Sequence, residues 1–147
     1  IYSKNDLYIY QVDKNHKSES NYTINAKELP SQIGIVDGNS RKVNSEINKS
    51  GYLTFGPYLE LLPGKYKFTI LYESSQNYNL EVGFYDIVIN QKVISQDKIY
   101  GTNSKEINLD GLFTIPESSN ENIVEIRSFY NGIGDLTIKK LSIMKVD

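Results

Sequence analysis

The sequence predicts an all-β fold: an antiparallel β-sandwich of jelly-roll type, built as a single domain with little or no helix. Apolar and polar residues alternate along many short segments, which is the period of a strand with one buried face. Gly, Pro, Asn and Asp separate these segments, as turns require. The 147 residues suffice for one domain with its own core, and no cysteine is present to add disulfides.

The clearest alternation runs from Gly51 to Tyr72. The segment Leu62-Pro63-Gly64-Lys65 has the composition of a turn, so we expect the two halves to pair as an antiparallel hairpin. Tyr52 and Tyr58 fall out of phase with the apolar row of the first half, and we expect both to leave the core. The residues that form the two apolar rows are Leu53, Phe55, Leu59 and Leu61, then Tyr66, Phe68, Ile70 and Tyr72.

The remaining strands are expected at Leu7–Val12, Asn21–Ile24, Gln32–Val36, Tyr78–Asn90, Gln91–Ser95, Ile107–Ile115, Ile123–Tyr130 and Leu136–Val146. Residues 26–30 have the pattern of one helical turn ended by proline, and residues 39–50 are polar and expected to form an exposed loop. Gly111 falls in the apolar row of its strand. In the last strand the apolar phase flips between Ile138 and Leu141, which predicts a β-bulge.

Composition excludes several functional classes. A net charge of −2 and a pI near 5.5 disfavour a nucleic-acid partner. One histidine (His16) and no cysteine disfavour a zinc site or a histidine-dependent triad, and no nucleophile or phosphate-loop motif is present, so we expect no enzymatic activity. No apolar run approaches the length of a membrane span, so membrane contact would come only through flanking segments. Because the chain opens at Ile1, we expect residues 1–147 to be a domain excised from a larger protein.

Two stretches carry a family resemblance. The pattern Gly51…Phe55-Gly-Pro-Tyr58…Leu61…Pro63-Gly64-x-Tyr66 resembles the central hairpin of bacterial carbohydrate-binding-module-like jelly rolls. The stretch from Asn122 to Ile143 resembles their C-terminal strand pair. The Gly56-Pro57-Tyr58 motif resembles the corresponding motif in accessory β-domains of bacterial enzymes that build or modify surface glycans. Some of these accessory domains lie on the extracytoplasmic side of membrane glycosyltransferases.

The resemblance implies a non-catalytic carbohydrate-binding or accessory module, on the bacterial cell surface or secreted. Its partners would be carbohydrate and the other domains of the parent protein. Two alternatives stay open: a structural domain that orients a membrane glycosyltransferase without its own sugar site, and a protein-binding adhesin module. A small hydrolase would require a deep cleft with two carboxylates.

Sugar recognition needs aromatic faces for the C–H side of a pyranose and planar polar groups for its hydroxyls. The chain has no tryptophan, so its tyrosines would supply the aromatic faces. Tyr58, beside Glu60 on the outward row, is the first candidate; the alternative is that Tyr58 covers the sheet edge beside Pro57. Glu125 and Arg127 share one strand face and are candidates for the polar contacts; the alternative is an ion pair on a solvated surface. Asp86 lies either in solvent or on the face of Phe84.

Loops supply the remaining candidates. In the resembling families the loop before the final strand often touches sugar, which implicates Tyr130, Asn131 and Asp135; a turn chosen for its backbone is the alternative. Arg41 is expected to be solvated rather than a ligand. A structural Ca²⁺ is implied by the resemblance, but the loop at residues 117–121 lacks calcium-loop spacing, so a solvated turn is favoured and no metal or other cofactor is assigned.

Overall fold

The computed structural model describes residues 21–118 and 121–146. The strand expected at Leu7–Val12 and the loop that contains His16 lie outside these residues. The described elements are β1 (Asn21–Asn25), a 3₁₀ turn (Ala26–Glu28), β2 (Ile35–Asp37), β3 (Ser40–Asn44), β4 (Gly51–Thr54), β5 (Pro57–Glu60), β6 (Gly64–Glu73), β7 (Glu81–Ile89), β8 (Lys92–Tyr100), β9 (Ile107–Ile115), β10 (Ile123–Tyr130) and β11 (Asp135–Val146).

Within the described residues these strands form two antiparallel sheets. The six-stranded sheet has the order β2-β3-β11-β6-β9, and β1 pairs with the second half of β11 beyond the end of β3. The five-stranded sheet has the order β4-β10-β7-β8, and β5 pairs with the first half of β10. The predicted antiparallel sandwich is therefore confirmed, and so is the single helical turn after β1.

The core lies between the two sheets. The predicted row from Tyr66 to Tyr72 in β6 is buried throughout, and it faces Val124 and Ile126 of β10 together with Tyr85 of β7. Phe68 and Tyr85 meet across the sandwich with their ring centroids 5.3 Å apart. Alternation on both sheets thus supplies the inward faces that a sandwich requires.

The bulge predicted in the last strand is confirmed. The register of β11 against β6 shifts between Ile138 and Lys140, and the buried side chains change phase from Ile138 to Leu141. Lys139, the extra residue, reaches outward to Glu73 and Glu106, with Nζ–carboxylate distances of 3.3 and 2.8 Å. The bulge lets one long strand keep an apolar inner face along its whole length.

The hairpin predicted between residues 51 and 72 is wrong. β4 and β5 pair with β10 in the five-stranded sheet, whereas β6 lies in the six-stranded sheet, so Leu62 and Pro63 cross from one sheet to the other. Leu53, Leu59 and Leu61 are buried as the predicted row requires, so alternation alone could not separate the two arrangements. Phe55 of that row is only partly buried, because the strand is interrupted next to it. The first half is also interrupted at Gly56, whose φ is +79° and whose bond to Pro57 is cis.

The exposed loop predicted at residues 39–50 is also wrong in its first part. β3 pairs with the start of β11, and Val43 is only 2% exposed. This strand has one buried side chain among polar ones, so its hydrophobic signal was too weak to show in the sequence. Across residues 21–118 and 121–146, no helix is long and apolar enough to span a membrane.

Candidate functional site

The outward face of the five-stranded sheet brings aromatic and charged side chains together. In β10, Val124 and Ile126 point into the core, so Glu125, Arg127 and Phe129 point outward. The neighbouring strands add further outward side chains in register with them. We refer to this surface as the candidate face; its residues are Tyr52, Tyr58, Phe84, Asp86, Glu125, Arg127 and Phe129.

Asp86 and Arg127 form the charged centre of the candidate face. They lie directly opposite each other in the pairing of β7 with β10. Arg127 donates from Nε to Asp86 Oδ1 and from Nη2 to Oδ2, both at 2.7 Å. The Asp86 side chain is 2% exposed and that of Arg127 23%. These hydrogen bonds raise the pKa of Arg127, and the paired geometry makes this a strong, directional interaction.

Aromatic rings surround this ion pair. The Arg127 guanidinium carbon lies 4.4 Å from the centroid of the Tyr52 ring, a cation–π contact. Phe129 meets Tyr52 edge-on at 5.0 Å and stacks on Phe84 at 4.7 Å. All three rings are half-buried rather than covered. The result is a fixed aromatic surface that can contact the C–H side of a sugar ring.

Tyr58 and Glu125 form the second polar part of the face. The Gly56 N–H donates to Glu125 Oε1 at 3.2 Å, and the Tyr58 hydroxyl hydrogen-bonds to the same carboxylate. Burial raises the pKa of Glu125, although the bond from Gly56 and the charge of Arg127 both act to lower it. Burial and the Glu125 carboxylate also raise the pKa of Tyr58.

The backbone holds Tyr58 in an unusual conformation. Its φ of +65° lies in the left-handed region, which costs a non-glycine residue of order 1 kcal/mol or more. This conformation follows Gly56 and Pro57, where β4 gives way to β5. A depression of about 270 Å³ lies beside Tyr58 and Glu125 and is closed on its other side by Ile123 and the turn at residues 90–91. The turn is held to the sheet because the Asn90 side chain accepts the Ile123 N–H at 2.9 Å.

Three of the six site residues predicted from the sequence meet on this face: Tyr58, Glu125 and Arg127. Tyr130 does not, because it is fully buried and its hydroxyl donates to the Gly134 carbonyl at 2.6 Å. Its assignment as a ligand-binding residue is corrected: it belongs to the inward row of β10, and Val124 and Ile126 already marked that phase in the sequence.

Asn131 serves the loop rather than the candidate face. Its side-chain amide donates to the Glu81 carbonyl at 3.0 Å and its side-chain oxygen accepts the Ile133 N–H at 2.9 Å. Both halves of the amide are therefore engaged in holding the connection between β10 and β11. Of the two hypotheses that the sequence left open for Asn131, a structural role in the turn agrees with these bonds better than contact with a sugar.

The sequence missed most of the surroundings of Arg127. Tyr52 was expected to point outward, but its ring was not linked to Arg127, and the position of Asp86 was left open. The alternation of β7 and β10 could have indicated part of these surroundings, because it places Phe84, Asp86 and Phe129 on the outward face. The register between those strands could not be derived from that alternation.

A second concavity lies at one end of the sandwich. This end cleft, of about 520 Å³, has a mostly polar lining without an aromatic side chain; its residues are Lys42, Val43, Asn44, Ser45, Glu46, Ser75, Gln76, Gly134, Asp135 and Thr137. Asp135 organises its wall, because its carboxylate accepts the Ser75 N–H and the Ser75 hydroxyl as well as the Gln76 amide. Asp135 thus holds one loop in place through bonds within the protein.

Arg41 was expected to be solvated. Arg41 is not simply solvated: its Nη2 donates to the carbonyls of Lys27 and Leu29, at 3.0 and 3.3 Å, and fixes the 3₁₀ turn. Burial lowers its pKa.

In the part of the chain that the structure describes, no three Asp, Glu or His side chains come together to hold a metal ion. Ser119 and Asn120 of the loop considered for Ca²⁺ lie outside that part.

No protein-family model and no curated protein sequence matches this chain. Its structure is similar to the C-terminal family 6 carbohydrate-binding module of the laminarinase LamC from Zobellia galactanivorans, with 13% identity, a TM-score of 0.56, and coverage of 85% of this chain and 99% of that one. It is equally similar to a family 6 module of the Cellvibrio mixtus lichenase 5A in complex with cellotriose, with 13% identity, a TM-score of 0.56, and coverage of 86% and 98%.

The same fold occurs outside carbohydrate-binding modules. The insecticidal δ-endotoxin Cry8Ea1 from Bacillus thuringiensis matches with 16% identity and a TM-score of 0.54, over 88% of this chain but only 25% of the toxin. The comparisons therefore show that this chain has the β-sandwich fold of carbohydrate-binding modules. Any function has to be argued from the site.

Proposed function

We propose that this domain is a non-catalytic carbohydrate-binding module and that it binds a glycan on the candidate face. One observation carries the proposal: half-buried rings of Tyr52, Phe84 and Phe129 lie beside hydrogen-bonding groups of Arg127 and Glu125. Rings and planar polar groups side by side are what pyranose recognition needs. The β-sandwich fold shared with carbohydrate-binding modules supports the same reading.

The carboxylates of the face support a binding role rather than glycoside cleavage. Hydrolysis requires one carboxylate that reaches the sugar as nucleophile or base. Both oxygens of Asp86 are bound by Arg127, and the side chain is almost completely buried. Glu125 is half-buried and already accepts the Gly56 N–H. This arrangement orients polar groups but leaves Asp86 unable to approach an anomeric carbon.

The composition of the face also separates glycan binding from a purely structural role. A domain that only packs on a membrane glycosyltransferase would present a contiguous apolar patch there. The candidate face instead places the charged side chains of Asp86, Glu125 and Arg127 next to its cluster of rings. The similar modules of LamC and lichenase 5A belong to larger enzymes, which supports a place in a larger bacterial protein of the cell surface or the secreted fraction. Tethering to that protein would compensate for the weak affinity of one shallow site.

The test is a glycan-array screen of the domain with two variants. Tyr58→Asn removes the aromatic side chain from the candidate face, and asparagine tolerates the left-handed backbone at this position. Tyr78→Asn is the matched control, since Tyr78 is half exposed and lies two residues after Gln76 of the end cleft. We expect the parent and Tyr78→Asn to bind the same glycans and Tyr58→Asn to lose them, with all three melting temperatures comparable.

Other outcomes would change the proposal. Loss of binding in Tyr78→Asn but not in Tyr58→Asn would move the site away from the candidate face, to the surface around Tyr78. A parent that binds no glycan on the array would contradict the carbohydrate-binding function itself. Binding to a protein ligand through Tyr58 would then favour the adhesin alternative, because aromatic and arginine side chains also dominate protein interfaces.

A further inference from the structure

We propose that Asp86 determines the charge of the glycans that the candidate face accepts: by occupying Arg127, it restricts the face to uncharged sugars. This inference rests on the proposed function and deepens it. Arg127 is otherwise the residue best suited to bind an acidic sugar, because a guanidinium matches a carboxylate with two parallel hydrogen bonds. Asp86 already makes that pair of bonds inside the protein.

The geometry denies a ligand anion the Nε–Nη2 edge of the Arg127 guanidinium. This edge, one of the edges through which the guanidinium would bind a carboxylate, is taken by the two oxygens of Asp86 at 2.7 Å. The guanidinium carbon also lies over the Tyr52 ring, 4.4 Å from the ring centroid. A uronate could form the pair of bonds with Nε and Nη2 only by displacing a carboxylate that is almost completely buried in its place. Displacement of a buried, doubly hydrogen-bonded partner is unfavourable.

The charges around the pair also oppose an anion. The charges of Asp86 and Arg127 cancel, and Glu125 adds a negative charge or none, never a positive one. Lys98 lies opposite Phe84 on the neighbouring strand, and its Nζ is 3.7 Å from a Glu81 oxygen. A sugar acid bound over the Asp86–Arg127 pair would lose hydration and would meet no net positive charge there. A neutral pyranose would lose no charge hydration and could use the rings and the polar edges.

A positioning role and a selectivity role for Asp86 make different predictions, so the test measures selectivity. The probes are the neutral array glycan that the parent binds best and the same glycan oxidised at C6 to the uronate. We expect the parent to prefer the neutral form by about tenfold or more, since one unpaired charged contact costs at least that factor. Asp86→Asn should reduce this preference about tenfold, chiefly by tighter uronate binding.

Two further variants isolate the charge of Arg127. In the double variant Asp86→Asn/Arg127→Gln the positive charge is gone, so the preference for the neutral glycan should return. The uronate affinity gained by Asp86→Asn should also fall in about 0.5 M NaCl, because salt screens a half-exposed ion pair, whereas binding of the neutral form should not change. A purely structural loss would weaken both probes together and would show no such salt dependence.

Glu125→Gln keeps the proposal testable if Asp86→Asn does not fold. Removing this carboxylate leaves the Asp86–Arg127 pair intact, so most of the preference for the neutral glycan, measured as the ratio of the two affinities, should persist even if Glu125→Gln weakens both; complete loss of the preference would assign the selectivity to Glu125 and overturn the role of Asp86. Equal binding of both probes by the parent, or unchanged selectivity in a folded Asp86→Asn variant, would also overturn it while leaving the carbohydrate-binding function in place. A parent that binds no glycan would overturn both.

Discussion

Replacement of Gly111 by alanine should destabilise the sandwich by about 1–3 kcal/mol, the usual cost of overpacking a core. Gly111 lies opposite Phe68 in the pairing of β6 with β9. A Cβ at this position would stand 2.4 Å from two atoms of the Phe68 ring, far inside van der Waals contact. The ring cannot easily retreat, because Tyr85 and Phe113 contact it at centroid distances of 5.3 and 6.4 Å.

A double-mutant cycle makes this prediction specific. Phe68→Leu alone should cost about 1–2 kcal/mol through a cavity and lost contacts. In the double variant the alanine methyl of residue 111 would occupy part of that space. The double variant should therefore lose less stability than the two single variants added together, by about 1 kcal/mol or more. Urea unfolding of the parent, both single variants and the double variant gives the four free energies. Additive costs, or a Gly111→Ala variant as stable as the parent, would refute the steric reasoning.

Three more predictions follow from individual side chains. Tyr130→Phe should cost about 1 kcal/mol in urea unfolding, because the hydrogen bond to the Gly134 carbonyl is lost, and should leave glycan binding unchanged; lost binding would restore Tyr130 to the site. Burial disfavours the ionised form of Glu125, so the parent should lose stability as the pH rises above about 4.3 through the raised pKa of this residue. The Glu125→Gln variant should therefore become more stable relative to the parent over that range. Urea unfolding at low and at neutral pH measures the difference, and the same change in unfolding free energy for both proteins would contradict the prediction. Asp135→Ala should accelerate amide hydrogen exchange at Ser75, which loses its carboxylate acceptor, and unchanged exchange there would argue against a loop-holding role.

The features that could be predicted from the sequence are local ones. β9 and β10 begin and end at the predicted residues, since their alternation is uninterrupted and Pro116 ends the first of them. The bulge at Lys139 was predictable because a change of phase within one strand leaves a mark in the sequence. The sequence shows Gly111 as a gap in an apolar row. It does not show the cause of that gap, which is the Phe68 ring on the neighbouring strand.

Features that depend on which strands meet were not predictable. The turn composition at Leu62–Pro63 suits a hairpin and a crossing between sheets equally well, and only the packing of the complete sandwich decides between them. The Asp86–Arg127 pair joins residues 41 positions apart, and a shift of one residue between β7 and β10 would have separated them. Tyr130 is a different case, because the phase of its own strand already placed it inside.

The Asp86–Arg127 pair is a poor device for stability alone, which is the physical reason to look for its role in recognition. Removing two charges from water costs several kcal/mol each, and apolar side chains of similar size often stabilise a protein as well or better. On an outward sheet face a pair of ordinary solvated residues would carry no such cost. Here the carboxylate is nearly buried, and the guanidinium carbon lies over the Tyr52 ring, which itself contacts Phe84 and Phe129. Loss of Arg127 alone would leave that carboxylate without its partner, so an Arg127→Ala variant would lose stability and binding together. A variant that neutralises both members is the one that separates recognition from folding at this face.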